Sequence, residues 1–248
     1  MRCFDYRDGV LCAEGVALPA IADAVGTPVH VYSASALRHA AEAFTSALQG
    51  LPTARFAFAV KANPNGAVLR LLADCGYGAD IVSGGELRRA LDAGIAPADV
   101  VFSGVGKTDR ELIDALKAGI GQFNLELEEE GRVLAQLARQ RGMRAPAVLR
   151  VNPDVDGGTH AKITTGRRTS KFGVDIAGAL DMYDRLARLD GLDLQGIALH
   201  IGSQIGHLNP LEAAYRRIGA LILELRARGH RITRVDLGGW LGIAYRPE

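Results

Sequence analysis

The stretch that decides the fold is residues 55–66, RFAFAVKANPNG. Its first part is a short apolar run that ends at Lys61, a pattern that predicts a strand. A doubly wound, dinucleotide-binding sheet would follow its first strand with a glycine-rich phosphate turn, and KANPNG is not such a turn. The stretch therefore favours a β/α barrel over a dinucleotide-binding sheet.

Six further apolar runs predict strands: GADIVS (78–83), VVFSG (100–104), GQFNLE (121–126), AVLRVN (147–152), GIALHIG (196–202) and TRVDLGG (233–239). Helical segments with one apolar face lie between them, and such alternation is typical of a parallel sheet. We predict an α/β fold, a TIM (β/α)8-type barrel truncated after its seventh strand. Residues 28–248 would form this incomplete barrel, and residues 1–27 a separate N-terminal strand region.

The predicted helices have recognisable ends. Ser83 has Glu86 three residues later, which is the spacing of a capping box, and Thr108 and Glu111 repeat it. The dipeptide Asn209–Pro210 predicts an N-cap followed by a first-turn proline. Glycines at 94, 119 and 229 end three of the helices.

The composition is that of an ordinary globular protein. The chain has 248 residues, of which 48% are hydrophobic and 23% charged, and its formal net charge is +1. We therefore expect no nucleic-acid and no membrane partner, and the N-terminus has no apolar signal core. Cys3, Cys12 and Cys75 form no CxxC pair, which favours a reduced, cytoplasmic setting over a zinc site or a disulfide framework.

The first candidate site residue is Lys61, because active sites of such barrels lie at the C-terminal ends of the strands. Ala57 and Ala59 share its side of the strand, and the bulky residues alternate with them. The lysine would then stand at the mouth of a lumen lined by small residues. It is either a Schiff-base nucleophile, since burial lowers the pKa of a lysine, or a snorkelling or ion-paired lysine.

Asp80, Arg150 and His200 also fall at strand ends. An internal arginine is costly unless it is paired, and Asp80 is a candidate partner. Structural pairing would explain those two residues, and a satisfied core position would explain the histidine. The convergence of these groups with Lys61 on one rim favours a functional site.

Two late turns suit a phosphate group. HIGS places Ser203 after the sixth strand, and DLGGW places Gly238 and Gly239 after the seventh. The stretch SGVGKT resembles a P-loop, but Val101 stands where that pattern requires a glycine. Thr108 is therefore better explained as a helix cap.

Seven stretches carry a family resemblance: FAVKANPN, GADIVSGGEL, VFSGVGKTDREL, LRVNPDVDGGTHAKITTG, SKFGV, HIGSQ and DLGG.LGIAY. Over about residues 26–246 the chain resembles the diaminopimelate decarboxylases. These are barrel-type (fold type III) pyridoxal phosphate enzymes, related to ornithine decarboxylase and alanine racemase. VKAN alone is a weak signal, whereas VNPDVDGGTHAKI together with HIGSQ is specific.

The resemblance implies the pyridoxal phosphate-dependent decarboxylation of meso-2,6-diaminopimelate to L-lysine and carbon dioxide, the last step of lysine biosynthesis. It implies a small-molecule amino-acid substrate and a homodimer. Lys61 would carry the cofactor and exchange it for the substrate amine, and His200 would stack on the pyridine ring. The residues that the resemblance assigns to the cofactor are Lys61, Asp80, Arg150, His200, Ser203, Gly238 and Gly239, with Lys61 and His200 catalytic and Glu86 in support.

The resemblance also implies parts beyond residue 248, an eighth strand and a C-terminal β-domain that complete the site. We therefore expect little decarboxylase activity from this chain by itself. Trp240 stands where the family pattern has a third consecutive glycine, so we expect it to hinder phosphate binding. The other interpretation is that its side chain turns outward and that only its N–H faces the phosphate. The alternative is a catalytically inactive barrel that binds pyridoxal phosphate or a full-length partner. An aldolase-type lysine barrel agrees less well with a lysine on the first strand.

Overall fold

The computed structural model describes residues 3–51, 53–156, 172–239 and 241–243. Near the N-terminus, three short strands form an antiparallel sheet: β1 (Phe4–Arg7), β2 (Val10–Ala13) and β3 (Val16–Ala17). Helix α1 (Leu18–Val25) follows directly and was not predicted. The region predicted for residues 1–27 thus contains strands and a helix, and its separation as a domain stays a prediction.

The larger part of the chain is built on a parallel sheet whose seven strands follow one another in chain order. They are β4 (Ala57–Ala59), β5 (Gly78–Ile81), β6 (Val100–Phe102), β7 (Gln122–Leu125), β8 (Ala145–Asn152), β10 (Leu192–Ala198) and β11 (Arg234–Asp236), with a short β9 (Val174–Asp175) paired to the end of β8. All seven predicted strands are confirmed. β4 and β11 lie at the two ends of this sheet.

Helices cover the outer face of the sheet. After α2 (Ala34–Ala47), which precedes β4, they are α3 (Gly66–Asp74), α4 (Gly84–Asp92), α5 (Asp109–Ala118), α6 (Glu128–Arg139), α7 (Ile176–Ala187) and α8 (Asn209–Ala227). Their apolar faces and the outward side chains of the strands form one large core, which includes Phe102, Phe123 and Tyr183. Apolar burial on this scale is the main favourable term in folding.

The sheet is strongly curled. β7 and β11 are not neighbours, because β8 and β10 lie between them. Nevertheless the Arg234 guanidinium of β11 donates to the carbonyl oxygen of Gly121, just before β7, at 2.6 Å. The two strands therefore face each other across a lumen. The predicted barrel type is confirmed as an open, curled half-barrel of seven parallel strands.

The helix caps follow the sequence prediction at α5 and depart from it at α8. Thr108 and Glu111 form the full capping box, with both reciprocal hydrogen bonds present. The N-cap predicted at Asn209 is wrong, because Asn209 is already helical and Leu208 occupies the cap position without a side-chain hydrogen bond. The proline after Asn209 lies in the first turn, as predicted.

Two further observations bear on the sequence predictions. None of the helices in the described ranges combines the length and the apolar character that crossing a bilayer requires. No disulfide joins Cys3, Cys12 or Cys75 to another described residue.

Candidate cofactor site

Lys61 lies just past strand β4 rather than within it. A 3-10 turn, Val60–Ala62, carries it over the rim, and the amide of Asn63 closes this turn onto the carbonyl of Val60 at 3.1 Å. Val60 is fully buried, whereas Lys61 is exposed. The burial of Lys61 that the strand pattern suggested is therefore wrong. Its predicted position at the mouth of the lumen agrees with the structure.

Asp80 lies in β5 and points into the lumen, where its Oδ1 accepts a hydrogen bond from the Ser103 hydroxyl at 2.6 Å. Burial raises the pKa of the Asp80 carboxyl to about 6, against the opposing effect of this hydrogen bond. The nearby charge of Asp236 also raises this pKa, while Lys61 and Arg150 lower it. The carboxyl therefore changes its charge at mildly acidic pH.

The pairing of Arg150 with Asp80 that the sequence suggested is wrong. Arg150 in β8 donates from Nη1 to Oε1 of Glu126 at 2.6 Å, and the Glu126 side chain is only 1% exposed. The other carboxylate oxygen, Oε2, accepts from the amide of Gly173 at 2.8 Å. The guanidinium also lies 5.1 Å from the ring centroid of Phe172. A buried carboxylate requires such partners, so Glu126 fixes Arg150 in place.

His200 follows β10 and carries a neutral ring. Burial lowers the pKa of its imidazole to about 4, and the positive charges of Arg150 and Lys61 add to this effect. Its Nδ1 accepts from the amide of Gly202 at 3.2 Å. In a neutral imidazole the proton then resides on Nε2. The ring faces the rim without a charge at neutral pH.

The loops after β10 and β11 lie side by side. Ser203 is exposed in the first loop. Ile205 of that loop forms a parallel bridge with Leu241 of the second, and the amide of Gly242 donates to the carbonyl of Ile205 at 3.1 Å. The two turns that the sequence singled out for a phosphate are therefore brought together.

Gly238 is a position that only glycine fits well. Its φ is 69°, and a Cβ there would lie 2.4 Å from the carbonyl oxygen of Leu199 and 3.5 Å from Cα and Cβ of His200. Its amide donates to Oδ1 of Asp236 at 2.9 Å, so Gly238 contributes its bare Cα to the turn and not its N–H. Gly239 next to it is exposed, and a Cβ there would have nothing within 4 Å. The prediction for Trp240 lies outside the described residues.

Glu86 was expected to support the polar network, but it forms its hydrogen bonds at the N-terminus of α4 instead. Its Oε2 accepts from the amide of Val82 at 2.8 Å, and its own amide donates to the Ser83 hydroxyl. The capping box predicted there is half formed. Glu86 thus holds the turn that follows Asp80.

The sequence reasoning missed a polar layer on β7. Gln122, Asn124 and Glu126 alternate with apolar residues, and each is at most 6% exposed. This alternation within GQFNLE was the available signal, because a strand in a packed barrel buries both of its faces.

Lys107, in the stretch that only resembles a P-loop, was missed as well. Its Nζ donates to the carbonyls of Gly104 and Asn124 at 2.6 and 2.8 Å and to Oε1 of Glu130 at 2.5 Å. The Lys107 side chain is 1% exposed. The other oxygen of Glu130 accepts from the amide of Glu126 at 2.7 Å. The buried ion pair between Lys107 and Glu130 therefore stabilises the end of β7, where Glu126, the partner of Arg150, lies.

An amine at Lys61, a carboxyl at Asp80, a neutral imidazole at His200 and a glycine turn at Gly238 thus lie at the C-terminal rim of a curled parallel sheet. Amines condense with carbonyl compounds, and glycine turns admit phosphate groups. Fold and site together define the class, a β/α-barrel domain suited to a phosphorylated carbonyl compound.

The comparisons with known proteins give the family. Residues 36–248 match the family model "Pyridoxal-dependent decarboxylase, pyridoxal binding domain", and the chain belongs to this family, whose cofactor is pyridoxal. Diaminopimelate decarboxylase of Zymomonas mobilis is 51% identical over 247 residues, which cover 99% of this chain and 59% of that protein. The resemblance predicted from the sequence motifs is confirmed.

Solved structures agree with this assignment. The diaminopimelate decarboxylase of M. jannaschii in co-complex with L-lysine superposes with a TM-score of 0.90 at 33% identity, covering 100% of this chain and 58% of that one. AQ1208 from Aquifex aeolicus gives 0.87 at 41% identity, with 99% and 57% covered. The chain spans about three fifths of the length of the relatives that it matches.

Proposed function

We propose that this chain is the cofactor-binding part of a diaminopimelate decarboxylase. The complete protein would convert meso-2,6-diaminopimelate to L-lysine and carbon dioxide. The name of the relative at 51% identity supports this activity, as does the L-lysine bound in the M. jannaschii neighbour. The observation that carries the proposal is the placement of Lys61, Asp80 and His200 on one rim beside the turn at Gly238.

The residues present fit pyridoxal phosphate. Lys61 offers an exposed amine for the aldehyde, and His200 offers a flat, uncharged ring for stacking. Gly238, where a Cβ would collide with the backbone, and Ser203 in the adjoining loop would receive the phosphate. Arg150 supplies a positive charge that Glu126 holds in place.

When bound, pyridoxal phosphate supplies an electron sink for breaking the bond between Cα and the carboxylate. The protein residues bind and orient. Nζ of Lys61 would hold the cofactor through its aldehyde, and this primary amine is a group that can move a proton. The neutral His200 ring would add no positive charge to the cofactor site. The Asp80 carboxyl, whose Oδ1 accepts from the Ser103 hydroxyl, binds or releases a proton near its raised pKa of about 6.

Turnover is proposed for the complete protein and not for this chain alone. The second candidate is a non-catalytic barrel that binds pyridoxal phosphate or a full-length partner. The exposure of β11, which ends the sheet, favours it, because Val235 in this strand is 43% exposed and Leu237 just after it is 39% exposed. A homodimer and a cytoplasmic location are further proposals, drawn from the family resemblance and from the cysteine pattern.

Two separate measurements test these proposals. Titration with pyridoxal phosphate, followed by absorbance, should show saturable binding that is lost in Lys61→Ala. Lys117→Ala, in the exposed last turn of α5, is the matched control and should bind normally. Absence of binding by the native chain would contradict the cofactor assignment.

Release of carbon dioxide from diaminopimelate separates the two candidates. Binding with negligible release by the chain, together with restored release on adding the remainder of a family enzyme, supports the first candidate. Binding without restoration supports the second. Release at the rate of a complete family enzyme by the chain alone would contradict the expected inactivity.

A further inference from the structure

The buried side-chain amide of Asn124 on β7 lies between the Asp80 side and the Gly238 side of the proposed cofactor site. Asn124 is 4% exposed, and its Nδ2 donates to Oγ of Ser103 and to Oδ2 of Asp236, each at 3.0 Å. Its Oδ1 accepts from Nε2 of Gln122 at 2.8 Å. A carboxamide has two N–H donors and one acceptor oxygen, so these contacts occupy both donors and the acceptor.

Each contact leads on to a residue of the proposed cofactor site. The Ser103 hydroxyl donates a hydrogen bond to Oδ1 of Asp80 at 2.6 Å. The far oxygen of Asp236, Oδ1, accepts from the amide of Gly238 at 2.9 Å. A continuous hydrogen-bonded chain therefore runs from β5 through β6 and β7 across the lumen to the turn after β11.

These hydrogen bonds matter most at β11, because that strand ends the sheet and, among the described strands, pairs with β10 alone. Backbone pairing therefore holds this strand from one side. Its inward carboxylate, Asp236, is held by two amides of β7, since Gln122 also donates to Oδ2 at 3.2 Å. Hydrogen bonds to a charged group are stronger than those between neutral groups, so this tie restrains the glycine turn.

We propose that Asn124 is a positioning residue of the cofactor site, which holds the Asp80 carboxyl and the Gly238 turn in register across the lumen. The inference rests on the proposed function and deepens it. Asn124 acts through Ser103 and Asp236 and does not itself face the rim. Loss of the Asn124 amide should therefore disturb both the Asp80 carboxyl and the Gly238 turn. Loss of Ser103 or of Asp236 should disturb only the end that this residue contacts.

Hydrogen exchange of the Gly238 amide, measured by NMR on the chain without cofactor, tests this directly. Asn124→Ala should accelerate the exchange about tenfold, since one charge-assisted hydrogen bond is lost from Asp236. Ser103→Ala should leave that exchange unchanged and raise the pKa of Asp80, because the Ser103 hydrogen bond lowers it. Gln195→Ala is the control, as that amide bonds locally to Asp193, and it should change neither.

A second variant covers the case in which Asn124→Ala does not fold. Asp236→Asn keeps the shape of the side chain but replaces one carboxylate oxygen with an NH2 group. In one orientation of the new amide, this group faces the NH2 group of Asn124. In the other orientation, it replaces the oxygen that accepts from the Gly238 amide. It should accelerate exchange at Gly238 by a similar factor. Exchange at the native rate in either folded variant would overturn the inference.

Cofactor binding gives the second readout. If the native chain binds pyridoxal phosphate, Asn124→Ala should weaken the binding about tenfold, and Gln195→Ala should not. Native affinity in Asn124→Ala would overturn the positioning role. Failure of the native chain to bind would instead refute the proposed function, while the exchange experiment would still decide whether Asn124 fixes the turn.

Discussion

Strands β7 and β11 face each other across the lumen, yet the fold holds them in different ways. All four residues of β7 are buried, and the strand pairs with β6 and β8. Within the described part of the chain, β11 pairs with β10 alone, and Val235 at its centre is 43% exposed. The inward side chain of β11, Asp236, is instead fixed by amides that reach over from β7. The middle of the sheet therefore determines the geometry of the rim, and side chains that reach over from β7 position the end strand.

The largest effect is expected at the end of β7. Glu126→Ala would leave Arg150 partly buried without its carboxylate, so the free energy of unfolding should fall by about 3–5 kcal/mol. Arg216→Ala, which breaks an exposed i,i+4 pair with Glu212, is the control and should cost about 0.5 kcal/mol or less. Denaturant unfolding measures both. Equal losses of unfolding free energy in the two variants would contradict the stabilising role assigned to the end of β7.

The next effect lies in the turn after β11. Gly238→Ala introduces a side chain at φ 69° and against the Leu199 carbonyl, so we expect a loss of about 1–3 kcal/mol and weaker pyridoxal phosphate binding. Gly239→Ala is the matched control, because a Cβ there has nothing within 4 Å. Thermal unfolding and cofactor titration of both variants provide the measurement. Equal behaviour of the two alanines would contradict the assigned turn geometry.

The pH dependence of stability should reveal two opposed groups. The pKa of Asp80 is raised from 3.8 to about 6, so its stabilising contribution is complete below pH 3.8 and is lost as the pH rises through 6. The pKa of His200 is lowered from 6.5 to about 4, so its contribution is complete above pH 6.5 and is lost as the pH falls towards 4.

Variants separate the two contributions. Between pH 6.5 and 4, Asp80→Asn should lose stability more steeply than the native chain, because the gain from Asp80 no longer offsets the loss from His200. Relative to the native chain, His200→Gln should gain stability over the same interval, because the loss from His200 is absent. Unfolding free energies measured across this range check the signs, and curves parallel to the native one would refute them.

The smallest expected effect concerns Trp240, whose role rests on the sequence alone. Trp240→Gly restores the third consecutive glycine of the family pattern and should strengthen pyridoxal phosphate binding severalfold. A titration beside the native chain measures this change. Unchanged or weaker binding would show that the tryptophan does not hinder the phosphate.

Local patterns were sufficient for most of the fold. The seven strands and the box at Thr108 and Glu111 depend on residues close in sequence, so periodicity and spacing revealed them. The cap at Asn209 was misplaced by one residue because cap and first helical turn favour similar residues. The 3-10 turn that exposes Lys61 was missed, since a short apolar run ending in lysine does not show where a strand stops.

The sequence predicted which residues lie at the candidate site, but it did not predict their hydrogen-bond partners. Parallel register places Leu125 opposite Leu149, so the following Glu126 lies next to Arg150, whereas Asp80 lies three strands away. Counting strands would have found this partner. The contact of Asn124 with Asp236 depends on the curl of the whole sheet, which no local pattern encodes.

The central claim is that the rim beside β4 and β11 holds pyridoxal phosphate through Lys61. Incubation with the cofactor, reduction with borohydride and peptide mass spectrometry locate the lysine that becomes labelled. We expect stoichiometric label on Lys61, with the buried Lys107 and the exposed Lys117 unlabelled. Label absent from Lys61, or spread evenly over the exposed lysines, would contradict it.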